Sequence, residues 1–506
     1  MNEKRILKNV GVVFAILILA KIAAFANDAI LAAFIGTSAD ADAFYMVLGI
    51  QQVIYPMLSV GIWKVFLPEY KKNMVLNGEK AADIFANKIM VLFTGFSLIV
   101  AGLIFIFHEK IVSVCAPGLK GDVKVLCGEL LKISSPLYVF IIISAVIATM
   151  LQCHGQFVGS QIREIVSHIP TIITAIFLYQ RFGIPALVYG LIAGSLLRFL
   201  VEIPFINWEY KFTFEKISFN ETEIGMLKKL PEALLTAGIE QINVLADKVM
   251  ASMMIVGSIS ALNYAQKLVN VFSGLFGNAI GTALYPQIAE YAAKKDSDKI
   301  EKILVQSIYV ICFMMVPITI GSIFFSTTII ECVFQRGEFG KEATRLTAIT
   351  YQFYVIGLSF VGMKAILSNV LYSFGDTKGA VRVSVYTVLV NIILNILLSP
   401  YMGTRGLALA TSIASIVNVC VSVYILRKYV LISLKKIYKE ILKIVLCAFC
   451  SCLITYLWLN NIMLSCYVKM LIAVVVCMFL YFGILYVAKS ESIRISFIYI
   501  RKMLEK

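Results

Sequence analysis

Charge and histidine are what this 506-residue chain has least of: 15% of its residues are Asp, Glu, Lys or Arg, and three are histidine. Soluble globular domains carry about 25% charged residues, so the composition excludes an ordinary cytosolic or secreted fold. The three histidines are His108, His154 and His168, and there is no H-E-x-x-H, no G-x-S-x-G and no Walker-type phosphate loop. No catalytic residue, metal site or cofactor site can therefore be assigned, and the chain is not expected to be an enzyme. With no nucleotide site, transport could not be powered by its own ATP hydrolysis. Cysteine is present, but Cys447, Cys450 and Cys452 sit in an apolar run with no histidine nearby and read as small apolar filler. Cys115 and Cys127 flank one loop and would pair only if that loop faced an oxidising side.

What the chain has instead is apolar length: 60% of its residues are hydrophobic. Runs of about 20 residues, enough to cross a hydrocarbon core of about 30 Å, recur from end to end. They lie near 8–35, 42–66, 83–108, 130–153, 158–180, 184–207, 231–256, 259–285, 302–326, 346–373, 379–400, 405–428, 438–460 and 464–488. Fourteen spans of roughly 21 residues would use about 294 positions and leave about 212 for loops and tails. The expected fold is an all-α integral membrane protein of about 14 transmembrane helices, with no soluble catalytic domain. The opening MNEKRILK precedes a run that continues through Lys21 and Asp28 without an A-x-A site, so it reads as a retained first helix, not a cleaved signal.

The formal net charge is +15, from 45 Lys+Arg against 30 Asp+Glu. In a soluble protein this would suggest nucleic acid, but here the bases alternate between loops. One set of connections holds Lys71, Lys72 and Lys80; Lys211, Lys216, Lys228 and Lys229; Lys294, Lys295, Lys299 and Lys302; Lys378 and Arg382; and Arg427, Lys428, Lys435, Lys436 and Lys439. The opposite set is short and poor in base, apart from the mixed charges of QRGEFGKEATR. The positive-inside rule then puts both termini in the cytoplasm. No nucleic-acid partner is expected.

The chain also repeats itself. Pro68 and Pro286 are 218 apart, Gly118 and Gly337 219, Tyr138 and Tyr354 216, and Gly155 and Gly375 220. A near-constant offset makes spans 1–6 and 7–12 two copies of one unit. Six spans is an even number, so both copies insert with the same orientation, as parallel repeats around a central cavity. The expected division is 1–207 for the first six-helix bundle, 208–230 for a cytoplasmic linker, 231–428 for the second bundle, and 429–506 for two extra helices and a basic tail.

Ionisable groups inside spans are costly in lipid and normally face a cavity or a partner. Lys21 and Asp28 in the first span are seven residues apart, so about 20° apart on one helix face. Glu240 and Asp247 repeat that spacing in the seventh span, each 219 beyond its counterpart. Lys248, Lys267, Lys64 and Lys364 add further charge. Two readings fit these groups: helix-to-helix salt bridges, or a cationic cavity for an anion such as pyrophosphate. Lys64, four residues before Pro68, is placed to snorkel to an interface. Asp28, Glu240, Asp247 and Lys248 are candidates for binding a coupling monovalent ion or for pairing internally.

GSISALNYAQKL (257–268), continuing to AIGTALYPQIAEYAAKKD (279–296), resembles the signature region of the MurJ/MviN lipid II flippases. That family belongs to the multidrug/oligosaccharidyl-lipid/polysaccharide exporter superfamily. AFANDAILAAFIGTSADADAFYM (24–46), VCAPG (114–118) and VFQRGEF…SFGDTKGAVR (333–382) agree with it, as do the two helices beyond a twelve-helix core. The resemblance implies a multi-pass flippase of the bacterial cytoplasmic membrane. Its cationic cavity would move undecaprenyl-pyrophosphate-linked peptidoglycan precursor outward, with membrane lipids as surroundings and no cofactor. By the resemblance, Asp28, Asp42, Lys267, Lys364 and Lys378 fall at substrate-binding positions, while Lys21 and Asn27 stand where the family carries arginines. IQQVIYPMLSVGIWK (50–64) lacks the arginines of the family's second span. Another polyprenyl-linked oligosaccharide, such as an exopolysaccharide or O-antigen unit, would fit the same scaffold. A cation-coupled multidrug exporter would prefer a cavity dominated by acids.

Overall fold

The computed structural model describes residues 3–206, 208–213, 221–430, 434–462 and 464–493. Twenty α-helices and no strand occur among the described residues. Nine of these helices are long and apolar enough to cross a membrane, or eleven spans if each of two bent helix pairs counts as one. Several expected spans are interrupted in ways that composition alone did not reveal. The 158–180 run is divided into Phe157–Val166, Ile169–Phe177 and Tyr179–Phe182, with Pro170 opening the second piece. The 259–285 run passes through a π-helical segment, Ser273–Asn278, between Ser258–Phe272 and Ala279–Ala293. The 231–256 run lies in Glu221–Ser252, where Glu240, Asp247 and Lys248 depress the hydropathy.

Helix starts follow their capping residues. The Ser38 side chain accepts from Ala41 N–H (3.1 Å) ahead of Ala39–Asn77. Asp296 does the same for Lys299 N–H (3.2 Å) and Asp376 for Gly379 N–H (2.8 Å). Each supplies an acceptor for an amide that the helix itself leaves orphaned.

Packing gathers the chain into two compact units, Met1–Ser260 with Arg336–Phe339, and Ala261–Gln335 with Gly340–Lys506. This is a different grouping from the expected repeat division, because Glu221–Ser252 packs along Ala39–Asn77 in the first unit. Glycines notch that helix pair. A methyl at Gly61 would stand 2.7 Å from Leu234 Cδ2, and one at Gly49 would stand 2.5 Å from Lys248 Cδ. Leu137–Cys153 and Glu79–Cys115 also pack on Ala39–Asn77, and Phe157–Val166 packs on Glu3–Ile35. In the second unit Ser297–Phe324 packs on Leu434–Asn460 and Leu358–Ser373, and Leu434–Asn460 on Cys466–Val487.

Several local features recur at positions about 220 apart. Gly155 and Gly375 take positive φ (75° and 71°) after Leu137–Cys153 and Leu358–Ser373. Each of those helices is preceded by a shorter one at a bend, 41° between Gly121–Ile133 and Leu137–Cys153 and 44° between Lys341–Val355 and Leu358–Ser373. His154 stacks on Trp208 with centroids 3.8 Å apart, and Phe374 stacks on Tyr429 at 4.6 Å. The first stack is tied down by the Tyr70 hydroxyl, 3.0 Å from His154 Nε2 and donating to Asp83 Oδ1 at 3.0 Å. Asn87 Nδ2 donates to the Lys211 carbonyl (3.0 Å), and the Tyr210 hydroxyl donates to Asn87 Oδ1 (2.5 Å). Burial holds the His154 imidazole below its ordinary range, which suits a neutral stacking ring.

Candidate substrate-binding site

The candidate residues fall in both units. In the first, Lys21 is exposed on Glu3–Ile35, whereas Asn27 and Asp28 one to two turns later are buried. Asn27 Oδ1 has no hydrogen-bond partner among the described residues. Asp247 and Lys248 are buried on Glu221–Ser252, and the side chain of Glu240 lies outside the described residues. In the second unit Lys267 and Lys364 are half-buried on Ser258–Phe272 and Leu358–Ser373. Lys378 is exposed in the first turn of Thr377–Met402, two residues past its Asp376 cap.

Asp42 is held in a small cage. Its carboxylate accepts from Gly257 N–H (2.7 Å), Ser260 N–H (2.8 Å) and the Ser260 hydroxyl (2.6 Å). Those amides belong to the start of Ser258–Phe272, where a carboxylate satisfies orphan donors and opposes the positive end of the helix dipole. A carboxylate engaged in this way fastens the first turn of Ala39–Asn77 to the start of Ser258–Phe272.

Lys248 is similarly committed. Its ammonium donates to the Tyr45 carbonyl at 2.9 Å, and its stem occupies the notch left by Gly49. A buried lysine costs several kcal/mol if unpaired, so a carbonyl partner in apolar surroundings is a structural necessity. The partner is 203 residues away in the chain, and only the glycine at 49 hints at it.

Two polar clusters carry no mark in the sequence reading. In the first unit, Arg163 Nη1 donates to the Ser144 carbonyl (3.0 Å), the Ser144 hydroxyl (3.1 Å) and Glu202 Oε1 (3.2 Å). Arg198 binds Glu164 and rests 5.4 Å from the centre of the Tyr55 ring. Glu202 is fully buried, and its second oxygen has no hydrogen-bond partner among the described residues. The available signal was Arg198 and Glu202 at helical spacing inside one apolar run, with Arg163-Glu164 inside another. In the second unit Asn395 Nδ2 donates to Asn391 Oδ1 (2.9 Å), Asn391 Nδ2 to Thr411 Oγ1 (3.1 Å) and Asn418 Nδ2 to Thr387 Oγ1 (2.9 Å). This ladder joins Thr377–Met402 to Thr404–Leu426, as interhelical amides do in lipid. Among the described residues, no three His, Cys, Asp or Glu side chains converge as metal ligands.

Helices alone among the described residues, with nine to eleven candidate spans, define a multi-pass membrane protein. The solved structure of a lipid II flippase MurJ in an inward closed conformation superposes with a TM-score of 0.80 at 24% identity, over 93% of this chain and 97% of that one. An inward-facing multidrug transporter of the MATE family gives 0.64 at 13% identity, over 83% and 96%. The chain belongs to the MurJ family: the family model described as "Lipid II flippase MurJ" matches residues 31–478. Probable lipid II flippases from Buchnera aphidicola subsp. Baizongia pistaciae and Vibrio cholerae are each 27% identical to it, over 82% of this chain and 82% of their own length.

Proposed function

We propose that this chain is a flippase that carries lipid II from the inner to the outer leaflet of the bacterial cytoplasmic membrane by alternating access. The observation that carries this reading is the family match over residues 31–478. Lysines within or beside apolar helices suit it: Lys21 in the first unit and Lys267, Lys364 and Lys378 in the second are the cations offered to a pyrophosphate, and Asn27 of the first unit is a neutral donor. The protein then moves its substrate without making or breaking a covalent bond in it. A second reading, another polyprenyl-linked oligosaccharide, is favoured by one observation: lysine and asparagine stand at 21 and 27, and residues 50–64 contain no arginine. Arginine grips a pyrophosphate bidentately, whereas lysine is a point charge.

The arrangement we infer is two parallel six-helix repeats with two further helices. The paired bends of 41° and 44° and the paired aromatic stacks support it. In this topology both termini and the lysine-rich connections are cytoplasmic. A cysteine replacing Lys295 in a cysteine-free variant should therefore react with a membrane-impermeant maleimide only after the cells are opened. Labelling of intact cells at that position would overturn the topology.

The driving force we infer is the membrane potential. One elementary charge crossing about 100 mV is worth about 2.3 kcal/mol. At 1.4 kcal/mol per decade this sustains a concentration ratio of roughly 40-fold. The empty carrier, with its surplus positive charge drawn toward a negative interior, is the species whose return the potential favours. Asp28, Glu240 and Asp247 are the acids available to a coupling monovalent ion, and Lys248 an internal partner for them. The test is rescue of a strain depleted of its own lipid II flippase, followed by depolarisation with ATP held constant. Rescue, and arrest of outer-leaflet lipid II on depolarisation, are expected. Failure to rescue that strain with rescue of an exopolysaccharide-flippase mutant would transfer the assignment to the second reading, and flipping in fully depolarised vesicles would remove the voltage coupling.

A further inference from the structure

Four glycines, Gly36, Gly118, Gly257 and Gly337, bring backbone against backbone with no side chain between. A methyl at Gly118 would overlap the carbonyl of Ser252, and a methyl at Gly337 would overlap the carbonyl of Ala33. One at Gly36 would stand 2.5 Å from the Glu338 carbonyl oxygen, and one at Gly257 would stand 2.7 Å from that of Thr37. Hydrogen bonds run along the same seam, from Gly118 N–H to the Ser252 hydroxyl (3.2 Å) and from Glu338 N–H to the Ala33 carbonyl (2.9 Å).

The numbers of these partners are related. Gly118 and Gly337 are 219 apart, and so are Ala33 and Ser252. The connection at 118 therefore rests on the end of Glu221–Ser252, and the connection at 337 rests on the end of Glu3–Ile35, its repeat counterpart. The two contacts are one contact made twice, with the members exchanged.

We propose that Gly118–Ser252 and Gly337–Ala33 are the two halves of a single latch on the extracytoplasmic side, which must release together for the cavity to open outward. This rests on the alternating-access reading above, but not on which lipid-linked saccharide is carried. The chemistry suits a closure that opens in every cycle. Carbonyl and amide groups released at an aqueous edge exchange protein partners for water at small net cost. A seam closed by large apolar side chains would have to expose their surface to water each time it parted. The seam needs glycine at these points: Gly118 and Gly337 sit against carbonyl oxygens, and Gly337 also takes a φ of +54° that other residues rarely adopt. Neither feature is needed for a connection that merely crosses the surface. Gly118 and Gly337 are thus positioning residues for the transport step and touch no substrate.

The test uses the full-length protein in vesicles with spin labels at Asp40 and Arg336 beside one contact, or at Asp122 and Ile255 beside the other. Gly118→Ala and Gly337→Ala, at normal abundance, should each lengthen both distances and lower flipping at least tenfold. Lengthening only of the pair beside the substitution would show two independent contacts and overturn the single latch, as would no change in either pair. A second measurement needs no glycine variant. Bridging cysteines placed at either labelled pair with a cleavable bifunctional maleimide should arrest flipping, and cleavage should restore it. Continued flipping with the bridge in place would refute the proposal. Because the distances are read without substrate, a wrong choice of saccharide would leave them intact.

Discussion

Alanine at Lys21 or at Lys267 is expected to abolish flipping while the protein accumulates at its normal level, and alanine at Lys64 is expected to change little. Lys21 is exposed on an apolar helix, fourteen residues before its end at Ile35. A charge so placed is costly in lipid and is relieved by a hydrated cavity or an anion. Lys267 is half-buried on Ser258–Phe272, the helix whose start Asp42 caps. Lys64 is exposed and lies four residues before Pro68, within reach of an interface along its own stem. The measurement is outer-leaflet substrate per unit of protein. Full flipping by both alanine variants would refute the cationic cavity.

The second large effect concerns stability. Arg163→Met, with Glu202 left in place, is expected to cost about 3–5 kcal/mol, because it strands a buried carboxylate without its guanidinium. Glu202 has no exposed surface, and Arg163 Nη1 lies 3.2 Å from its Oε1. Adding Glu202→Gln to Arg163→Met should recover most of the loss, since a neutral amide can be buried far more cheaply than a lone charge. Thermal unfolding in detergent would resolve the three variants. Equal melting of Arg163→Met and the parent would mean that the cluster does not hold Leu137–Cys153, Phe157–Val166 and Ile184–Leu200 together.

The class of fold was legible because it depends on quantities that accumulate along a chain. Sixty per cent apolar residues in runs of span length specify helices in lipid whatever their neighbours are. The residues that contact each other across the fold were harder to read. Asp42 is legible as a family position, but its partners, Gly257 and Ser260, emerge only once the starts of two helices meet. Arg163, Glu164, Arg198 and Glu202 give no comparable signal, because each lies in a run long enough to count as a span despite its charge. The break at Ser167 and His168 is hidden for a related reason: Ile169 to Leu178 is apolar, and hydropathy does not register where one helix ends and the next begins. Site residues on separate helices share no local pattern, so their grouping belongs to packing alone.

The notches at Gly49 and Gly61 have a consequence for inheritance. Leu234 and Lys248 belong to what the repeat marks as the second copy, yet they seat in notches of a helix from the first. In the two-repeat arrangement inferred above, the repeated stretch is therefore not the stretch that holds together mechanically. Had the two copies once existed as separate identical chains, each would have had to lend its first helix to the other. Fusing them would have turned a contact limited by concentration into one present in every molecule, and later changes at 49 and 248 would have been free to differ from their counterparts.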